Sequence, residues 1–525
     1  MKKTLSLLGA FAFAVTLASC GAAMNGETEN GYMPATVNYN GTNEAIVWVT
    51  AADPPTLDTI TVNHAATTDV ATQIFERLIW FSPYTGELEP LLAESVEIID
   101  EDLLVYEFIL RQGVYFHDGT PFNAYAVKRS LDRLLDPANA SPAAFILDMI
   151  DTIEIVDDYT VHIILEFPFT PFLSHLVHRG ASIVSPAAID EEERGERTVS
   201  ENPIGTGPFI FSYRVDGEYV RLVPNENHWR SVPYHDLIFQ AVPSSSTRLA
   251  MVQSGEANVL RGVATYVNEL QNSPNVYIVL QPSTGLTYMG FNVSTEGPLS
   301  DARVRRAISM AINKEDILNG VQEGIGQIAV GPVRVGNVAY APAEVEQLPY
   351  DLELARELLA EAGFADGFST TISLATGNPV LAMTAELIQA KLSQLNIDVT
   401  IEAAELATYL ANTAAGVHEI FIMSWTTITG DADYGIFPLF HSSEIGATNR
   451  MFYSNPLVDE LLEEARQSTD SNRRAYLYRQ ITEILVYESP MVFLFHPNTP
   501  IITNGVEGFF TNINDTPYFF NTRLN

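Results

Sequence analysis

At 525 residues the chain is longer than one hydrophobic core sustains, so two or three domains are expected. With 46% hydrophobic and 18% charged residues, it has the composition of a packed globular protein and not of a disordered one. Its 65 acidic and 28 basic residues leave a net charge of -37, which argues against nucleic acid and anionic lipid as electrostatic partners.

The basic pair Lys2-Lys3, the apolar run Leu5 to Leu17 and the ending Leu17-Ala-Ser-Cys20 form a secretory signal, residues 1–19. The run is too short to stay in a membrane as a spanning helix, and no later run is long enough. Cys20 is the only cysteine, so no disulfide forms within the chain. Leu-Ala-Ser-Cys resembles a bacterial lipobox. The resemblance implies cleavage before Cys20, a diacylglyceryl group on its thiol, and firm anchoring by two or three acyl chains. The remainder of residues 20–42, rich in Gly, Asn, Glu and Thr, reads as a flexible tether.

Glu44 to Thr50 is a first strand that Asp53-Pro-Pro55 stops, followed by a helix through Ile74, Phe75 and Leu78. Val105 to Leu110 alternate as a strand does, His117-Asp-Gly-Thr-Pro121 is a tight turn, and Ala124 to Leu135 carry a helical period. Asp301 caps a helix with Val304, Ala307, Ile308 and Ala311 on its apolar face and Arg303, Arg305 and Arg306 outside or paired. Asp351 caps another, with Leu354, Leu358 and Ala362 in line and Gly363 as its stop. Val380 to Leu395 is a third helix, and Ile397, Val399 and Ile401 mark a strand. Ile420 to Met423 and Met491 to Phe495 are buried strands, the latter leading into a tail rich in Pro and Asn. Such alternation specifies an α/β protein with crossover connections.

Motifs run the length of this pattern. They include Thr85-Gly-Glu-Leu-Glu-Pro90, Gly113-Val-Tyr-Phe-His-Asp-Gly-Thr-Pro121, Asn202-Pro-Ile-Gly-Thr-Gly-Pro-Phe209, Gly290-Phe-Asn292, Asp301 to Asn313, Tyr350 to Phe364 and Tyr453 to Leu462. In order and spacing they resemble the peptide and nickel family (family 5, cluster C) of extracellular solute-binding proteins that feed ABC importers. The resemblance implies a two-lobed periplasmic-binding-protein type II fold with an extra N-terminal subdomain. Lobe I would take residues 43–288 plus 495–525, including a subdomain from about 70 to 195, and lobe II residues 289–494. The crossovers are expected near Tyr288-Met-Gly290 and Pro490 to Phe495.

The polar segment Trp425-Thr-Thr-Ile-Thr-Gly-Asp-Ala-Asp-Tyr434, at the carboxyl end of a strand, sits where open α/β sheets hold ligands. In peptide-binding members an aspartate three residues after the corresponding tryptophan meets the ligand's amine. Here Ile428 occupies that place. Either Asp431 takes the role through a reshaped loop, or the ligand presents no amine there; as a structural element Asp431 would cap the loop. The Thr-Gly-Asp-Ala-Asp variant resembles the branch that includes glutathione binders. Dipeptide binders clamp the ligand carboxylate with an arginine where this chain has Leu374-Ala-Thr-Gly-Asn-Pro379 and no basic residue. Trp425, Thr426 and Thr427 are expected to line the cleft and pair with an extended ligand. Ala51 and Asn63 would face them, with Tyr288 and Asn292 at the crossover serving the ligand or the hinge.

No metal, cofactor or catalytic residue is expected. Gly324-Ile-Gly-Gln-Ile-Ala329 leads into no helix, Asp431 to Ser442 fails the calcium-loop pattern, and no convergent nucleophile and base stand out. The expected protein is a monomeric, lipid-anchored, extracytoplasmic receptor, at the cell surface or in the periplasmic space. It would pass oligopeptide-like solutes, from dipeptides to glutathione-like tripeptides and longer, to an ABC permease. The rival readings are a nickel-chelate, haem or sugar receptor, a peptide-pheromone sensor, and a secreted enzyme on the same scaffold.

Overall fold

The structure, a computed structural model, describes residues 45–525 apart from 63, 232, 335, 337–339, 341–344 and 513. The signal, Cys20 and the tether lie outside the described residues. Strand β1 (Ala45–Thr50) buries Ile46 to Val49 in succession, the pattern of a strand covered on both faces. Helix α1 (Ala65–Ile74) starts where His64 Nδ1 accepts from the Ala66 N–H at 3.2 Å. It stops at Ile74 instead of running on to Leu78, and Phe75 is extended. The Asn202–Phe209 motif explains the stop. The Gly207 N–H donates to the Ile74 carbonyl at 2.8 Å, and a Cβ on Gly205 would collide with that oxygen. His117 clasps the motif from the other side, with Nε2 donating to the Gly207 carbonyl at 2.9 Å and Nδ1 accepting from the Gly205 N–H at 3.4 Å. Burial pushes this imidazole down to about 4, so it stays neutral and serves its turn.

Strands β2 (Ala93–Ile98) and β3 (Val105–Leu110), helix α2 (Ala124–Leu135), and strands β4 (Ile150–Asp157) and β5 (Thr160–Leu165) make a separate antiparallel sheet, ordered β2-β3-β5-β4. Asn123 caps α2, whose Val127, Leu131 and Leu134 join the core of that sheet. The chain continues through β6 (Phe209–Val215), β7 (Tyr219–Pro224), β8 (Asp236–Ala241), β9 (Val259–Arg261), β10 (Val276–Pro282) and β11 (Gly285–Phe291).

Helix α3 (Ala302–Ala311) is capped by Asp301, which accepts from the Arg303 N–H at 2.8 Å, and buries the expected apolar face. Arg305 departs from expectation. It is buried and donates to the carbonyls of Leu299, Ser300, Glu488 and Ser489, tying off chain ends that no helix bond satisfies. After β12 (Gly326–Ile328), Asp351 caps α4 (Leu352–Glu361), but Leu354 is exposed and Ala355 with Leu359 face inward. Then come β13 (Ser369–Ala375), α5 (Pro379–Leu392), β14 (Asp398–Ala404) and β15 (Ile420–Thr426), followed by α6 (Ala432–Phe440), α7 (Pro456–Gln467), α8 (Ser471–Glu488) and β16 (Met491–Asn504).

Twelve strands form one sheet, ordered β14-β13-β15-β11-β16-β9-β1-β8-β7-β6, with β10 and β12 also paired to β16. The long β16 belongs to both flanks. Its Met491–Phe495 half pairs β11, and its later half pairs β10 and β9. The chain therefore passes between flanks at Ser283–Thr284 and again between Phe495 and Asn498. Tyr288, expected at a crossover, lies inside β11. Apolar cores follow this division: two pack around β11, β13 and β15, and two around β1, β8 and β9.

Candidate ligand cavity

Where the flanks and the small sheet meet there is a cavity of about 720 Å³, within the ~300–1,000 Å³ range of small-molecule sites. One wall is the end of β15. Met423 to Thr426 pair with β11 on one side, Ser424 opposite Thr287 and Thr426 opposite Gly285. On the other side β13 pairs with β15 only at Ile420 and Phe421. The two strands diverge beyond Phe421, and the freed stretch of β15, Met423 to Thr426, lines the cavity. Trp425 stacks on Tyr434 (5.6 Å, 28°) and donates Nε1–H to the Tyr434 carbonyl at 3.0 Å, while Tyr434 stacks on Phe145 (5.9 Å, 27°). This ladder ties β15 and α6 to the small-sheet core.

Tyr288, Trp425 and Thr426 stand in the wall, and Ile428 borders it. Tyr288 is fully buried, and its hydroxyl has no hydrogen-bond partner among the described residues. The other sequence candidates lie elsewhere. Ala51 is exposed outside the lining, and Asn63 falls outside the described residues. Asn292 is buried and spends its amide on the Gly416 and His418 carbonyls, fastening β11 to the segment before β15. Thr427 is buried behind the wall because the chain turns there, the Gly430 N–H donating to its carbonyl. Asp431 is a structural group. It caps α6 through the Asp433 N–H at 2.9 Å, and Arg474 closes on both its oxygens at 2.7 and 3.0 Å. Asp433 pairs with Arg466 at 3.1 Å, also away from the lining.

The charged lining comes instead from scattered segments: Arg77, Arg179, Arg261 and Arg450, with Asp69 and Asp515. Four guanidinium groups against two carboxylates leave an excess of two positive charges in a protein of net charge -37. Arg77 is held by the Val177 carbonyl (2.9 Å), and Arg450 by the Leu410 carbonyl (2.6 Å) and the Thr413 hydroxyl (3.2 Å). Among the described residues neither pairs with a carboxylate. Burial, with Arg77 as a like-charged neighbour, pushes the Arg179 guanidinium down to about 10, and burial also lowers Arg450. Both shifts are what an anion entering the cavity would relieve. Arg261 is different, since it grips both oxygens of Asp69 at 2.9 Å and donates to the Asp515 carbonyl at 2.6 Å. A partial signal exists for Arg77 alone, which with Glu76 interrupts the otherwise apolar run Ile74 to Phe81.

Among family models, the one described as bacterial extracellular solute-binding proteins, family 5 middle, matches residues 87–447. The glutathione-binding protein of Pectobacterium atrosepticum is 32% identical over 448 residues, covering 83% of this chain and 86% of its own. Heme-binding protein A of Haemophilus influenzae is 31% identical over 523 residues, 94% of each chain. The Helicobacter pylori periplasmic binding protein DppA, solved with the peptide STSA, superposes with a TM-score of 0.82 at 30% identity, covering 91% of this chain and 98% of its own. The α/β architecture is that of the type II periplasmic binding proteins. The chain belongs to family 5 of the bacterial extracellular solute-binding proteins.

Proposed function

We propose that this protein captures short acidic peptide-like solutes, of the glutathione class, and delivers them to an ABC permease. The observation that carries the reading is the free edge of β15 facing an arginine-rich cavity. A ligand laid along Met423 to Thr426 adds a strand, so its main chain is held whatever its side chains, while the guanidinium groups select for carboxylates. Glutathione and the tetrapeptide STSA, named for two relatives, are both peptide-like, and glutathione carries the second carboxylate that the acidic class requires.

In this reading the described residues up to the β10–β11 junction, with those after Phe495, form one lobe, and the residues between form the other. The lobes hinge at β16 and the β10–β11 junction, and closure on the ligand is driven by its preference for the closed state. No covalent step is involved. The chain acts as a monomer, held at the extracytoplasmic face by acyl chains on Cys20. Calorimetric titration of the mature chain with glutathione and with a tetrapeptide tests the reading. Saturable one-to-one binding is expected, and absence of heat with both peptides, alongside binding of a haem or nickel–histidine control, contradicts it.

A further inference from the structure

The cavity wall contains carboxylates that the loop sequence does not reveal. Of the carboxylates near the 425–434 loop, Asp431 is closed off by Arg474, and Asp433 by Arg466. The described lining contains two others. Asp69 has both oxygens on Arg261. Asp515 does not share that fate: Arg261 reaches its main-chain carbonyl, and its carboxylate meets only neutral hydroxyls, the Thr499 hydroxyl at 3.0 Å on Oδ2 and the Ser283 side chain. Its Oδ1 is shielded from water and has no hydrogen-bond partner among the described residues. Two guanidinium groups stand in electrostatic range of Asp515: Arg261, already spent on Asp69, and Arg334, held by the Ser283 and Pro497 carbonyls. Burial holds the Asp515 carboxyl above the usual range against the opposing pull of Arg261, so the charge is under-compensated.

The chain also places Asp515 beside the loop. Neighbouring Asn514 donates its amide to the carbonyl of Ile428, the residue that stands where peptide-binding relatives of the resemblance carry an aspartate. Asp515 itself sits in the left-handed region at φ 58°, held by its N–H to the Asn512 carbonyl at 3.1 Å. Rotation of the carboxyl about its soft terminal torsion exchanges which oxygen faces the cavity.

We propose that Asp515 receives the free ammonium group of the bound ligand, a role supplied here by the C-terminal tail and not by the loop at Ile428. The ligand class narrows accordingly, to peptide-like solutes carrying an unblocked amine as well as carboxylates. This rests on the peptide reading given above.

The test is calorimetric titration of the mature chain with reduced glutathione and tri-alanine, each free and N-acetylated. Wild-type protein is expected to bind at least one free peptide at least tenfold tighter than its acetylated form. Asp515→Asn should remove that preference, leaving affinity for the acetylated peptide within twofold. Asp515→Gly guards against misfolding, because glycine suits the left-handed backbone while deleting the carboxylate, and it should act in the same way. Equal wild-type affinity for free and acetylated peptides overturns the proposal, as do variants that keep the preference or weaken both forms equally. No wild-type binding of any of the four peptides overturns the peptide reading itself, and this one with it.

Discussion

Two aspartates near the cavity have opposite fates. Asp431, inside the loop that the sequence pattern singles out, is sealed by a bidentate arginine and stitches α6 to α8. Asp515, in the C-terminal tail, lines the cavity with a carboxylate whose hydrogen-bond donors are hydroxyls and not a guanidinium. The difference teaches that availability is set by pairing and not by proximity to a motif. A buried carboxylate that already has its cation is architecture, whereas one without is poised for a ligand.

The largest effect expected from breaking this contrast is on stability. Arg474→Ala strands the buried Asp431 charge and should cost about 3–5 kcal/mol in denaturant unfolding, whereas Asp515→Gly should leave stability unchanged or raised. Equal losses in the two variants would erase the distinction. A pH scan comes next. His117 and His496, buried and held near 4 in the folded chain, are neutral there but take a proton near 6.5 once unfolded. The unfolded state therefore binds more protons between these values, and stability is lost as pH falls through the window, by about 2 kcal/mol per histidine at pH 5. A flat stability profile from pH 7 to 5 contradicts that. Arg450→Ala should then weaken binding of an acidic peptide by about 1.5–3 kcal/mol without lowering the melting temperature much, because its protein contacts are carbonyl and hydroxyl oxygens. The smallest effect belongs to Tyr288→Phe. Removing a buried hydroxyl without a protein partner should leave the empty protein as stable or slightly more so, and cost about 0.5–1.5 kcal/mol of ligand affinity if that hydroxyl meets the ligand. A clear loss of stability would mean that the hydroxyl serves the fold.

Much of the fold was legible because local signals agree with it. Asp301 and Asp351 cap helices, and the apolar runs at 420–423 and 491–495 are buried strands. The misreadings were places where tertiary contacts choose between equivalent local patterns. Leu354 and Ala355 both fit a helical stripe, and packing against α3 selects the smaller residue. The first helix looks continuous to Leu78 until the glycines at 205 and 207 arrive at its end. The cavity wall was legible only where the strand signals led to it, at Tyr288, Trp425 and Thr426. Arg179, Arg450, Asp69 and Asp515 come from four segments well separated in sequence, and only the folded chain brings them to one cavity.

The most direct measurement is native mass spectrometry of the mature chain, from about residue 25 onward, purified without refolding and exposed to a mixture of di- to pentapeptides with glutathione. Retention of one peptide-sized ligand per chain, enriched in species with free amines and extra carboxylates, is the predicted result. Retention of a haem, metal-chelate or carbohydrate mass, or indifference to every peptide offered, would contradict it.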